Sequence, residues 1–193
     1  VGELNEQQKE YANKMVNDLD VIDQMVDKLL DLGRIESGSV LQVEKIAPMD
    51  LFDEVMKVLQ PLATQRKVQI MRELTIAQSL EIEADKALLQ QALYNLLDNA
   101  IKYLLPDRPA RIDIYAESKP GEAIIHVRDN GRGIEEADYA KVFQLFRRAR
   151  NVDDVPGDGF GLPYIQSIIQ RQGGRIWFES VPDKGTTFSF SLP

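Results

Sequence analysis

Along residues 5–36 the apolar positions Ala12, Met15, Leu19, Ile22, Val26 and Leu29 stand alternately three and four apart. That 3.5-residue period predicts one long helix carrying a coiled-coil seam. Met25, Leu30, Leu32 and Ile35 widen the stripe toward its end, as packing in a bundle requires. Ser37, Gly38 and Ser39 then stop the helix and act as a hinge. A short strand is expected over 40–46. Pro48 and Asp50 open a second helix, with Asp50 as its N-cap and Asp53 three residues on. Pro61 is expected to kink or interrupt that helix near its end. Strands follow over 68–74 and 80–84, and Asp85 caps a strongly periodic helix running to about Leu104.

The second half alternates with period 2. Segments 111–118 and 123–128 flank Lys119, Pro120 and Gly121, which reads as a hairpin. A short helix is expected over 135–143, and a polar loop, mobile without ligand, over 147–159. A helix starts near Gly161, with Pro163 in its first turn, and ends at Gly173 and Gly174. Strands over 175–180 and 186–192 close the chain. This order implies an α+β fold: a two-layer sandwich with a mixed sheet covered by helices on one face, plus the long N-terminal helix. Residues 1–38 and 39–193 are the expected divisions.

Composition narrows the chemistry. The chain has 193 residues, 44% of them hydrophobic and 28% charged, with a net charge of −8. That balance suits a globular domain and argues against a broad nucleic-acid surface, which needs a cationic face. With no cysteine, disulfides, thiolate metal sites and cysteine nucleophiles are excluded. No run approaches the roughly 20 apolar residues of a membrane span. The chain opens at Val1 rather than Met, so a fragment of a longer, cytoplasmic or membrane-anchored protein is expected.

Four short segments carry candidate chemistry. On the helix ending near Leu104, Asn95, Asn99 and Lys102 or Tyr103 share one face, opposite Leu89, Leu93, Leu96, Leu97 and Ala100. Two carboxamide oxygens above a lysine suit a hard cation bound to a polyphosphate, such as Mg²⁺. The segment read alone is equally an amphipathic helix with a polar stripe. Asp129, Asn130, Gly131, Arg132, Gly133 and Ile134 follow a strand directly. There a carboxylate can accept a bond from an exocyclic amine, and glycines permit close approach, although read alone the segment is also a plain strand-exit turn. Gly157, Asp158, Gly159, Phe160, Gly161 and Leu162 open a helix, which exposes N–H donors to phosphate. Neither the Walker A nor the Rossmann glycine spacing is present. Lys184, Gly185, Thr186, Thr187 and Phe188 precede the last strand, where a hydroxyl offers a water-mediated contact to a base.

Together, in this order, the segments resemble the histidine kinase branch of the ATPase superfamily shared with gyrase, mismatch-repair ATPases and heat-shock chaperones. Residues 89–103 look like its N box, 127–134 like G1, 142–146 like the F box, 157–162 like G2, and 185–188 like the closing Gly-Thr motif. The resemblance covers about 40–193, and residues 28–38 look like the end of the second dimerisation helix. It implies ATP and Mg²⁺ as cofactors. Asn99 would ligate the metal with Asn95 beside it, and Lys102 would meet a phosphate. These three are the expected catalytic groups. Tyr103 and Ile134 would line the nucleotide pocket, and Asp129 would accept the adenine amine with Gly131 and Gly133 beneath the base. Gly157, Gly159, Gly161 and Leu162 would frame the lid, and Thr186 and Thr187 would lie at the base. Arg147 or Arg148 would reach the terminal phosphate. Leu104, Asp183 and Pro163 depart from the family pattern without removing a proposed ligand.

The one histidine, His126, sits in a strand pointing away from Ile125, Val127 and Asp129. It reads as an ordinary strand residue. The resemblance therefore implies the donor half of a histidine kinase. Its acceptor would be a histidine on a dimerisation helix outside this chain, its onward partner a response-regulator receiver domain, and its parent a homodimer. A pseudokinase and an anti-sigma-factor-type serine kinase are the alternatives.

Overall fold

The computed structural model describes residues 5–37, 40–73, 81–149, 155 and 157–193. The expected hinge residues Gly38 and Ser39, the strand ends Leu74 and Leu80, and loop residues 150–154 and 156 lie outside the described residues. Helix α1 (Glu6–Glu36) starts at a capping box. Asn5 accepts from the Gln8 N–H at 2.8 Å while Gln8 reaches back to the Asn5 N–H at 3.0 Å. Its C-terminal Leu32 is 7% exposed and joins the main core, and α1 packs against α4 (Gly161–Arg171). The seam residues Met15, Leu19, Ile22, Val26 and Leu29 remain 43–63% exposed.

Five strands form a mixed sheet in the order β2 (Gln69–Glu73), β4 (Arg111–Lys119), β5 (Glu122–Asp129), β7 (Gly185–Leu192), β6 (Arg175–Val181). The β2–β4 pair is parallel and the others antiparallel. β1 (Val43–Ile46) and β3 (Ile82–Asp85) pair separately as a two-stranded ribbon. Helices α2 (Pro48–Gln65), α3 (Lys86–Lys102) and α4 cover one face of the large sheet. Their inner sides bury Leu51, Leu59, Leu93, Leu96, Ile165 and Ile168 against Ile112, Ile114, Val127 and Phe190. The alternation of β4, β5 and β7 supplies the second half of that core.

The opposite face is polar and aromatic. Tyr115, His126, Ser189 and Trp177 form one row across four strands. The His126 ring stacks on Tyr115 at 4.4 Å, and its Nδ1 lies 2.7 Å from the Ser189 hydroxyl. Burial holds its pKa below the usual histidine value. Asp113, in the next row, accepts from Arg111 at 2.7 Å and from Arg128 at 2.8 and 3.1 Å. Burial pushes its pKa up, but the two guanidiniums outweigh it and hold the carboxyl below its usual range.

Local details differ from the sequence expectation. Asp50 is not the cap of α2. The N-cap is Ala47, and Pro48 takes the first helical position, where its fixed φ suits the helix and its missing N–H costs nothing. Asp50 instead places its charge in the first turn. The helix continues past Pro61 to Gln65. α3 ends at Lys102 rather than Leu104, and the expected helix over 135–143 is a 3₁₀ segment, Glu136–Lys141. The cap on α3 matches expectation: Asp85 accepts from the Leu88 N–H at 3.2 Å, and its other oxygen accepts from the Gln42 N–H at 3.0 Å. Asp85→Ala should therefore lower stability by about 1–2 kcal/mol, read as a shifted urea midpoint. An unchanged midpoint would show that neither bond contributes.

Candidate nucleotide site

α3 brings its polar face to a cavity of about 320 Å³ between the sheet end and the start of α4. Asn95, Asp98, Asn99 and Lys102 all line it. They stand at i, i+3, i+4 and i+7, so one helix stripe presents all four. The leucines on the other side bury at the core and fix the rotation of the helix. The Asn95 amide nitrogen donates to the Gln91 carbonyl at 2.8 Å. That bond turns the amide oxygen toward Gly161, within 4.0 Å of where a Cβ there would sit. The Asn99 amide lies in the same place, with its nitrogen and oxygen 3.6 and 4.0 Å from that point. Lys102 pairs with Asp98 at 2.6 Å.

Asp129 ends β5 and is 9% exposed. Its Oδ1 accepts from the Gly131 N–H at 2.8 Å and the Thr186 N–H at 3.3 Å. Both of these bonds fall on Oδ1, and Asp129 lines the cavity. Burial pushes its pKa up to about 6, against the pull of the Gly131 and Thr186 N–H groups and of its own N–H. Two backbone N–H groups thus anchor the carboxylate through Oδ1 at the wall of the cavity.

The turn after Asp129 is clamped from both sides. The Arg132 N–H donates to the Tyr103 carbonyl at 3.0 Å, and the Ile134 N–H to the Ser180 hydroxyl at 2.8 Å. Gly133 has φ +68°, and a Cβ there would run into the Val181 carbonyl. Only glycine combines that dihedral with that approach. Gly133, Ile134 and Tyr103 line the cavity. Gly131 does not; it packs behind the carboxylate against the Tyr103 carbonyl.

The third wall is the start of α4. Gly157, Gly159, Gly161 and Leu162 line the cavity with Arg147 and Arg148. Gly159 (φ +70°) accepts the Phe146 N–H at 3.1 Å, and Phe160 is fully buried, which pins the turn before the helix. The first turn of this 11-residue helix thus lies at the cavity, where the Gly161 and Leu162 N–H groups (Pro163 has none) and the helix dipole favour an anion. Arg148 also bonds the Val155 carbonyl.

Thr186 lines the cavity, and its hydroxyl lies 2.8 Å from that of Ser180. Thr187 does not line it. Opposite Arg128 and Glu179 in the ladder, it falls on the outer face of β7, as alternation requires. Asp98, Asp158, Val142, Pro163 and Phe188 also line the cavity, although the sequence reading gives none of them a site role. Asp98 was legible from the same helical spacing as Asn95 and Asn99. The others belong to segments whose approach is set by tertiary packing.

Residues 84–193 match the family described as histidine kinase-, DNA gyrase B- and HSP90-like ATPase. The chain is 31% identical over 196 residues to the circadian input-output histidine kinase CikA of Synechococcus elongatus, covering 100% of this chain and 26% of that protein. It therefore spans about a quarter of that relative's length. It also resembles the histidine kinase ThkA solved in complex with the response regulator TrrA (TM-score 0.78, 25% identity, 100% of this chain and 53% of that one). A likeness in fold extends to full-length ShkA in complex with AMPPNP (TM-score 0.79, 22% identity, 100% of this chain and 40% of that one). No described helix is long and apolar enough to cross a membrane. More than half of the chain, including every wall of the cavity, lies within the matched span, and the chain belongs to the histidine kinase-, DNA gyrase B- and HSP90-like ATPase family.

Proposed function

We propose that this chain is the ATP-binding kinase module of a two-component sensor histidine kinase. The observation that carries the reading is the single cavity uniting the α3 carboxamides, the Asp129 carboxylate and the N-terminus of α4. Asp129 Oδ2 would accept the adenine amine, with Tyr103, Gly133, Ile134 and Thr186 about the base. The N–H groups after Gly159, with Lys102 and Arg147 or Arg148, would hold the phosphates. Asn99 and Asn95 would ligate Mg²⁺. Their donor set fits a hard cation, since the Asn95 oxygen is already turned inward by the Gln91 bond. The metal would supply charge neutralisation at the phosphates, and the chain's own groups supply position. In this account α3 and α4 orient the donor, and Phe188, buried at the cavity wall beside Thr186, would exclude water from its base end.

The likeness to a kinase solved with its response regulator supports a receiver domain as the onward partner. Residues 39–193 would be the catalytic domain and 1–38 part of the dimerisation region of a homodimeric, cytoplasmic kinase portion. The exposed heptad seam of α1 supports that division. Labelled ATP should leave the isolated chain unlabelled but phosphorylate a histidine outside this chain in the full-length protein, with the label passing to a receiver aspartate. Label on His126 would contradict the donor reading. Asn99→Ala should cost Mg-ATP roughly tenfold in affinity, the scale of one charge-assisted contact, and spare adenosine. Equal losses for both ligands would move Asn99 out of the metal site.

A further inference from the structure

The phosphate end of the cavity holds a carboxylate for which the nucleotide reading has no role. Asp98 completes the α3 stripe, lines the cavity, and is only 14% exposed at its side chain. It takes the Lys102 ammonium at 2.6 Å, with the acid four residues before the base, the favoured order on a helix. Any anion that recruits Lys102 must therefore share its ammonium with an intramolecular carboxylate or displace it. In either case the Asp98 charge lies beside that anion. Asn95 and Asn99 are neutral and cannot offset that charge. Asp158, which also lines the cavity, directs Oδ1 to the Phe160 N–H at 2.9 Å.

We propose that Asp98 is a positioning and selectivity residue: it holds Lys102 at the wall of the cavity, and it opposes any polyphosphate that arrives without a divalent cation. The inference rests on the nucleotide reading above and concerns the ionic form of the ligand that this site accepts. A divalent cation lying near Asn99 would be attracted by the Asp98 charge that repels free polyphosphate. Lys102 would then be released to a phosphate at little electrostatic cost. Asp98 thus couples phosphate recognition to the metal without itself contacting the base.

The test is calorimetry on the whole chain with adenosine, ATP in a chelator, and Mg-ATP, for wild type and Asp98→Asn. The variant should bind cation-free ATP about threefold to tenfold more tightly, the scale of one screened unit charge. Its gain from Mg²⁺ should shrink by a similar factor, and adenosine should bind as before, which also reports an intact fold. Lys102→Met should cost cation-free ATP more in the Asp98→Asn background than in wild type, because the competing carboxylate is gone. Cation-free ATP binding that is unchanged or weakened by Asp98→Asn, or an equal cost of Lys102→Met in both backgrounds, would overturn the inference while leaving the nucleotide reading intact. A wild-type chain that binds neither adenosine nor Mg-ATP would overturn both.

Discussion

Asp129→Asn should weaken ATP roughly tenfold to hundredfold and at the same time stabilise the ligand-free domain. The two effects share one cause. In the proposed site the buried carboxylate accepts a ligand donor, and a charge-assisted bond there is worth roughly 1.5–3 kcal/mol. Asparagine is a weaker acceptor and can turn its NH₂ to the amine. Yet the same carboxylate sits buried with a pKa near 6, above its ordinary 3.8. A raised acid pKa means that the folded state disfavours the charge. Its cost, on the order of 3 kcal/mol, is present in full above pH 6 and fades as pH falls toward 3.8. A neutral asparagine removes that cost, so Tm at pH 7 should rise, by roughly 2–4 °C per kcal/mol relieved. Wild-type adenosine affinity should fall as pH drops through about 6, since protonation removes the charged acceptor, and the variant should lack that slope. Guanine nucleotides present a carbonyl where adenine has an amine, so the variant should also discriminate less. A variant that binds ATP as tightly as wild type would displace the adenine pocket from Asp129.

Gly133→Ala should be strongly destabilising, and Gly121→Ala is its internal control. Both glycines have positive φ, +68° and +80°. An alanine at either costs about 1–2 kcal/mol for the left-handed backbone. At Gly121, in the β4–β5 turn, nothing lies within 4 Å of the added Cβ, so the cost should end there. At Gly133 the Cβ meets the Val181 carbonyl and Pro182 backbone, so the 129–134 turn or the end of β6 must move. That turn is tied to α3 through Tyr103 and to β6 through Ser180 and the Asp183 N–H, which donates to Arg132 at 2.7 Å. We expect a further loss of about 1–3 kcal/mol at Gly133, the scale of overpacking a fitted site, together with weaker ATP binding. Equal Tm losses for the two variants, with ATP affinity intact, would mean that the close approach at Gly133 is not a constraint.

Much of this arrangement was legible in the residues. The leucines at 89, 93, 96 and 97 announced which side of α3 is buried, and so which side carries Asn95 and Asn99. Alternation in β5 placed His126 outward and Asp129 inward, and the hairpin about Gly121 formed where glycine marked it. What remained hidden was set by distance in sequence. That β1 pairs with β3 rather than joining the large sheet depends on residues about 40 apart, and no local period reports it. The cap of α2 turned on whether Pro48 or Asp50 governs the first turn, and the fixed φ of proline won. Thr186 and Thr187 both carry hydroxyls, but strand geometry sends neighbours to opposite faces, so Thr186 alone of the two lines the cavity. Asp98 shares the helical spacing of Asn95 and Asn99, but its pairing with Lys102 is a side-chain contact that spacing alone does not distinguish from a solvated charged face.

Hydrogen exchange of the chain with and without Mg-ATP tests the central claim most directly. If the cavity between α3, the end of β5 and the start of α4 is the nucleotide site, protection should rise at the 131–134 turn and at the first N–H groups of α4 after Gly159. The outer sheet face around Tyr115, His126 and Trp177 should exchange as before. Protection that does not change at those two segments at saturating Mg-ATP, or that rises on the outer face instead, would contradict the account.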